Sequence, residues 1–435
     1  HQSGTTTLND CIFTKNTTDD AWDGGAIAVC KNSSGTVVIN GGEISENHAG
    51  WGPAFYQDKL EGSKVATIYA NDVLIKDNSS AASGAIWANG VTELTRCVLD
   101  GNTAGGTGTS DATALVVAKG ADMSLHGCTV QNHKADQKNC NTIIIRDKAS
   151  LYIGPDSNGN RSLIKDNSAQ FGGAIRVAQS GSNTDASTLD VEATTFEGNT
   201  GQYGGAIIAC GPSDVNLYNG VVFKKNYSSK GNGGAILFES KGTLTCNRCH
   251  FQSNRANNEG GAIKVDNSSA KIYLNATTFK DNYQDAQPAG TTIQIHQANT
   301  FAMNNCTIAD DTYAKKNHDS EPRISWLSFN EPQTLWMSNN TFIGMPWLRS
   351  EATYGGLVRI WLDVDTDAYF VNNIIVTSEE HENTWSFCQL NKSIDQTNVP
   401  SVKLYHTKYS EFEDASTCEN AGYLTHMETP TSSGF

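Results

Sequence analysis

The sequence predicts an all-β chain wound into a right-handed parallel β-helix of about 12–13 coils, closed by an irregular C-terminal cap. Three observations lead there. Two short motifs recur together, their spacing stays near 29 residues, and apolar residues alternate with polar ones between them. A helical repeat would need an apolar period of about 3.6 residues, and none is present.

The first motif is an apolar residue, two variable residues and Asn. The second is Gly-Gly-Ala-Ile. They pair as Phe13/Asn16 with Gly24–Ile27, Ile164/Asn167 with Gly172–Ile175, and Phe196/Asn199 with Gly204–Ile207. Phe223/Asn226 goes with Gly233–Ile236, and Phe251/Asn254 with Gly260–Ile263. Degenerate copies start at Ile44, Ile75, Leu99 and Phe279, and the Asn is lost or replaced after Val130 and Ile308. Phe342 with Gly355–Val358 is a last, worn copy. Successive copies start 24 to 34 residues apart.

Each coil reads as three short strands. The first carries Gly-Gly-Ala-Ile-x-Val, where Ile175 and Val177 face inward and Arg176 outward. The second is a stretch such as Thr243-Leu244-Thr245, and the third ends at the apolar motif residue, as in Cys249-His250-Phe251. Ile and Phe then stack on their counterparts one coil away, about 4.8 Å along the axis, giving a rod of roughly 60 Å. Asn forms an amide ladder at a turn. The Gly pair suits a corner with unusual backbone angles or no space for Cβ. Insertions such as Ser180–Ser187 and Gly105–Ser110 fall between strands. Residues 1–375 are assigned to the repeat domain and 376–435 to a cap or linker.

The formal net charge of −15 argues against nucleic acid, whose phosphates need a basic footprint, and against an anionic membrane. No apolar run reaches the roughly 18 residues of a membrane helix. The start at His1 reads as a mature or trimmed chain, and Thr429–Phe435 as the beginning of a linker.

The pairing of Gly-Gly-Ala-Ile with Phe-x-x-Asn over residues 11–360 resembles the polymorphic outer membrane protein repeats of chlamydial surface autotransporters. These repeats lie within the pectate-lyase-like right-handed β-helix superfamily. The resemblance implies secretion or surface display, and adhesion. The family's C-terminal membrane barrel is absent from this sequence. The wider superfamily implies an alternative, a polysaccharide lyase or glycoside hydrolase.

Such enzymes need clustered carboxylates with a His, Lys or Arg on the outer face. Outward positions bring together only Glu239, Lys264, Asp266 and His296, for which a solvated charged face is the competing account. The other outward column contains Tyr56, Trp87, Val116, Ile144, Ile208 and Leu237, an apolar stripe that either a loop covers or a partner meets. Asp363, Asp365 and Asp367 resemble half of a calcium loop but lack its Gly and distant Glu, so an acidic turn competes. No cofactor is implied. Five of the eight Trp, namely 326, 336, 347, 361 and 385, crowd the last third, as a sugar platform or an end cap.

Cys11, Cys97, Cys128, Cys249 and Cys306 share a slot two residues before the ladder residue, with Ser162, Thr194 and Thr277 in other coils. Cys97 and Cys128 fall in consecutive coils, as stacked thiols or a disulfide. Cys246 and Cys249 have the spacing of half a zinc or redox site but lie between strands. A Cys388–Cys418 bridge would close a loop of about 30 residues and stabilise the cap by about 3–4 kcal/mol. Asn-x-Ser/Thr occurs at 16, 32, 78, 160, 226, 267, 275, 305, 339 and 391, and three of these Asn belong to the ladder. The expected function is a non-catalytic extracellular surface protein, adhesin-like or part of an assembly, that meets a protein, a glycan or neighbouring subunits.

Overall fold

A computed structural model describes residues 4–29, 34–58, 66–105, 111–135, 140–178, 186–285, 289–309, 325–343, 358–362, 367–376, 388–392, 401–405 and 408–409. The chain is all-β, and its strands pair in parallel with the corresponding strands of the coils before and after, forming a right-handed β-solenoid. Strands of three to six residues predominate because each coil turns a corner as soon as one face has been filled.

The inward file of the first strand follows the predicted register. Ile143, Ile175, Ile207, Ile236, Ile263 and Ile293 are paired in sequence. The apolar motif residue makes a second file, from Phe13 through Ile44, Ile75, Leu99, Val130 and Ile164 to Phe196, Phe223, Phe251, Phe279, Ile308 and Phe342. It runs on through Ile375 to Tyr409. Strands Cys388–Lys392, Ser401–Tyr405 and Lys408–Tyr409 thus pair in the same files beyond residue 375.

From Ile44 to Phe342 the members of these files belong to one core cluster. Four phenylalanines stack face to face within it. The ring centroids of Phe196, Phe223, Phe251 and Phe279 are 4.9, 4.8 and 4.9 Å apart in turn. The rung spacing sets this separation, so an aromatic in one coil makes an aromatic in the next a good neighbour.

The two glycines of Gly-Gly-Ala-Ile do different work. The first takes a left-handed backbone, with φ +68° at Gly204 and Gly233. The second has no such angle. Instead, a Cβ on Gly205 would collide with the Gly234 carbonyl oxygen of the next coil. One position needs conformational freedom and the other needs space.

The Asn ladder runs through Asn16, Asn47, Asn78 and Asn102, and again from Asn167 through Asn199, Asn226 and Asn254 to Asn282. Inside the ladder Nδ2 donates both to the next Asn and to a backbone carbonyl. Asn226 Nδ2 donates to the Phe196 carbonyl at 3.0 Å and to Asn254 Oδ1 at 2.9 Å. Asn226 Oδ1 accepts from the backbone N–H and Nδ2 of Asn199, at 3.1 and 3.0 Å. The side chain is fully satisfied and fully buried. After Val130, where the motif loses its Asn, His133 takes the vacant place in the ladder.

The slot two residues before the ladder residue is a hydrogen-bonding corner rather than only a tight one. The Cys128 N–H donates to Ser162 Oγ, the Cys249 N–H to Thr277 Oγ1 and the Cys306 N–H to Asn340 Oδ1. Asn340 and Asn373 begin a second amide ladder there. Sulfur, hydroxyl and amide all serve because each offers an acceptor to the neighbouring coil.

Candidate functional site

The outward column of the first strand stands in file as predicted. Tyr56, Trp87, Val116, Ile144, Arg176, Ile208, Leu237, Lys264 and Gln294 pair one after another. Of the two readings of this stripe, cover is the one that most of it meets. Val116, Ile144, Ile208 and Leu237 are all buried, while Tyr56 and Trp87 are half-buried. The glycine corner preceding the strand folds back over the column. A Cβ on Gly84 would meet Val116 Cγ2 at 3.1 Å, and one on Gly204 would meet Ile208 Cβ at 3.2 Å. Val116 and Ile144 join Ala112, Ala118 and Ala178 in a small second core with Trp87 packed against it.

The same fold-back pairs residues five apart across the corner. The Arg176 guanidinium lies 4.7 Å over the Phe171 ring. The Lys264 ammonium is bonded to the Glu259 carboxylate, and Lys264 is only 3% exposed. Lys264 is therefore a buried cation neutralised by its own turn, not a member of an open charged face.

The other three acid–base candidates do lie together. His296 Nδ1 is 2.8 Å from Asp266 Oδ1. Asp266 and His296 are partly exposed. The Glu239 carboxyl is raised above the ordinary range, first because the surrounding chain withdraws it from water and then because Asp266 is near. Cys210 Sγ is 3.9 Å from Glu239 Oε2, and burial pushes that thiol up to about 11. The arrangement places a carboxyl of raised pKa near a hydrogen-bonded Asp–His pair. Among the described residues, no group of three or more His, Cys, Asp or Glu is placed to hold a metal. Asp363 and Asp365 lie outside the described residues, and Asp367 is described only as backbone at the start of a strand.

The described cysteines Cys11, Cys97, Cys128, Cys140, Cys210, Cys246, Cys249 and Cys306 are free thiols, so the Cys97–Cys128 disulfide is not formed. Cys97 Sγ instead donates to the Ala70 carbonyl at 3.3 Å, and Cys128 Sγ to the Leu94 carbonyl at 3.2 Å. Cys128 is held well above the usual thiol range by its hydrogen bond with the Cys97 sulfur and by burial. Cys246 and Cys249 are both buried in the core, which suits packing and not exchange chemistry. The side chain of Cys388 and all of Cys418 lie outside the described residues.

One feature was not anticipated from the sequence. A cleft of about 490 Å³ runs beside the Asn ladder, lined by Lys225, Asn226, Tyr227, Ser253, Arg255, Asp281 and Tyr283. Tyr227, Arg255 and Tyr283 stand in file on one wall. The Arg255 guanidinium lies 4.7 Å from the Tyr227 centroid and 5.7 Å from that of Tyr283. Arg255 is anchored by Asp285 at 2.8 Å. Lys225, Ser253 and Asp281 complete the lining with Asn226, and their φ are 55°, 53° and 54°. The signal was in the positions flanking each ladder Asn, which the search for outward carboxylates passed over.

Comparison of the chain with family models, curated proteins and solved structures returned no match. The protein is a parallel β-solenoid whose fold is consistent with the pectate-lyase-like superfamily, which contains both enzymes and non-catalytic surface or structural proteins. Its likeness to polymorphic outer membrane protein repeats rests on the motif residues alone. No helix among the described residues is long and apolar enough to cross a membrane.

Proposed function

We propose that the chain is a non-catalytic extracellular surface protein, adhesin-like or a structural part of an assembly, which binds through the outer faces of its solenoid. One observation carries this reading. Aromatic side chains stand exposed on the outside of a rigid rod, where packing does not require them. Trp336 is 41% exposed and its ring lies 4.9 Å from that of Tyr369 in the next coil. Tyr273, in the same outward file, is 40% exposed. Rigid aromatics with a small entropy of ordering are favoured contact residues. Tyr56 and Trp87 are the members of the first-strand column proposed to join a contact surface.

The test is binding of the full chain, and of a Trp336→Ser/Tyr273→Ser variant, to a panel of extracellular-matrix proteins and surface glycans. Binding that the double substitution removes without a change in melting temperature supports the reading. Binding that is untouched places the contact elsewhere and removes the observation on which the proposal stands.

A second reading, a polysaccharide lyase or hydrolase, is favoured by the grouping of Glu239, whose carboxyl is raised above the ordinary range, with the Asp266–His296 pair. Incubation with acidic polysaccharides, with and without calcium, decides it. New reducing ends or unsaturated products that vanish in Glu239→Gln would replace the non-catalytic reading.

A further inference from the structure

We propose that the cleft beside the Asn ladder is a binding site for an uncharged saccharide residue. The inference goes beyond the surface-protein reading, because the cleft lies at a different corner from the exposed aromatic file and stands or falls separately.

Size comes first. About 490 Å³ falls within the range of small-ligand sites, roughly 300–1,000 Å³. The shape follows from the stacking. Lys225 and Asp281 are two rungs apart, roughly 10 Å along the axis, with Ser253 between them. That span suits one sugar ring with its hydroxyls. The floor is rigid, because Asn226 is locked by both neighbouring rungs. The aromatic wall is rigid too, since Arg255 is clamped between Tyr227 and Tyr283 and bonded to Asp285.

Chemistry selects the class. The Lys225 ammonium, the Ser253 hydroxyl and the Asp281 carboxylate have no hydrogen-bond or ion-pair partner among the described residues. The cleft therefore offers a donor at one end, an acceptor at the other and a group of both kinds between them. A hydroxyl-rich ring satisfies all three. A phosphate would face the Asp281 carboxylate, and a metal ion would find a single carboxylate. An apolar ligand would bury three polar groups without partners. The edges of Tyr227 and Tyr283 supply the apolar strip that C–H groups of a sugar ring need.

The chain itself indicates substitutions that keep the fold. The column of Lys225, Ser253 and Asp281 holds Gly101, Asn132 and Gly198 in other coils, all with positive φ. Lys225→Gly and Asp281→Gly remove the side chain at a position where glycine already serves, and Asp281→Asn mirrors Asn132.

The experiment is saturation-transfer NMR and calorimetry on the full chain with neutral trisaccharides of glucose, galactose, mannose and N-acetylglucosamine. Inorganic phosphate and acetate are run as competitors. The expected result is millimolar or tighter binding of at least one trisaccharide, weakened about tenfold or more by each glycine substitution. Melting temperatures of the variants should match the parent within a few degrees. Failure of every trisaccharide to bind, binding unaltered by the substitutions, or displacement by phosphate or acetate would each overturn the proposal.

Discussion

Asn102 Nδ2 donates to His133 Nε2 at 3.2 Å, which fixes the protonation state of a fully buried imidazole. An amide nitrogen has only protons to offer, so Nε2 must accept, and the proton sits on Nδ1, 3.1 Å from Asn167 Oδ1. His133 thus accepts from the rung before it and donates to the rung after it, as the side chains of the asparagines it interrupts do. A second proton would place a charge inside the solenoid. Burial accordingly holds its pKa down to about 4, against the partly compensating Asn167 bond and the charge of Asp100.

Acid sensitivity follows. The unfolded chain binds the His133 proton near pH 6.5 and the folded chain only near 4. Between these values the unfolded state holds more protons, so stability falls as pH falls through this window. The loss is complete below about 4 and amounts to about 3 kcal/mol. Urea denaturation at pH 7 and pH 4 checks it. His133→Asn, which restores the ladder, should abolish this part of the pH dependence, and an unchanged profile would show that the imidazole is not its source.

Asn226→Leu should cost about 2–5 kcal/mol, because it leaves the backbone N–H and Nδ2 of Asn199 without acceptors inside the solenoid. Asn16→Leu, at the exposed start of the same ladder, should cost much less. Paired chemical denaturation curves make the comparison. Equal costs would mean that the ladder is not what holds these coils together.

Phe223→Ala removes a ring stacked on both sides and should cost about 3–5 kcal/mol. Phe223→Leu should cost visibly less by thermal melting, since it keeps most of the volume.

The pairing of buried Lys264 with the partly exposed Glu259 predicts an asymmetry. Glu259→Gln strands an ammonium that is 3% exposed and should destabilise by about 3–5 kcal/mol. Lys264→Met, or the double substitution, should be nearly neutral. A harmless Glu259→Gln would show that Lys264 finds its solvation elsewhere.

The thiols of Cys97, Cys128, Cys246 and Cys249 should resist maleimide labelling in the native protein and react fully in denaturant, as counted by mass spectrometry. Labelling of Cys97 or Cys128 under native conditions would contradict their burial.

Much of this architecture was legible in residue spacing. Ile175, Ile207, Ile236 and Ile263 lie in file because a stacked strand has only one register that keeps its apolar side inward. The outward columns were legible for the same reason. What escaped was the fold-back of the Gly-Gly corner, because a strand pattern specifies which way a side chain points but not what lies above it. Hence the cover of Ile208 and Leu237 was left open between a loop and a partner, and Lys264 was read as part of a solvated face. His133 escaped because equivalence in the ladder depends on hydrogen-bonding pattern, not on residue type. The cleft escaped because its walls come from residues 28 positions apart that only the stacking brings together.

The ladders bind each rung only to the rung above and the rung below. Among the described residues, such a rod has no fastener reaching from end to end. Pulled lengthwise, it should peel rung by rung, as a zip opens, at a tension set by a single layer. Lengthening the rod would then add to the work absorbed before rupture but not to the peak load, a property suited to a tether that must give without snapping.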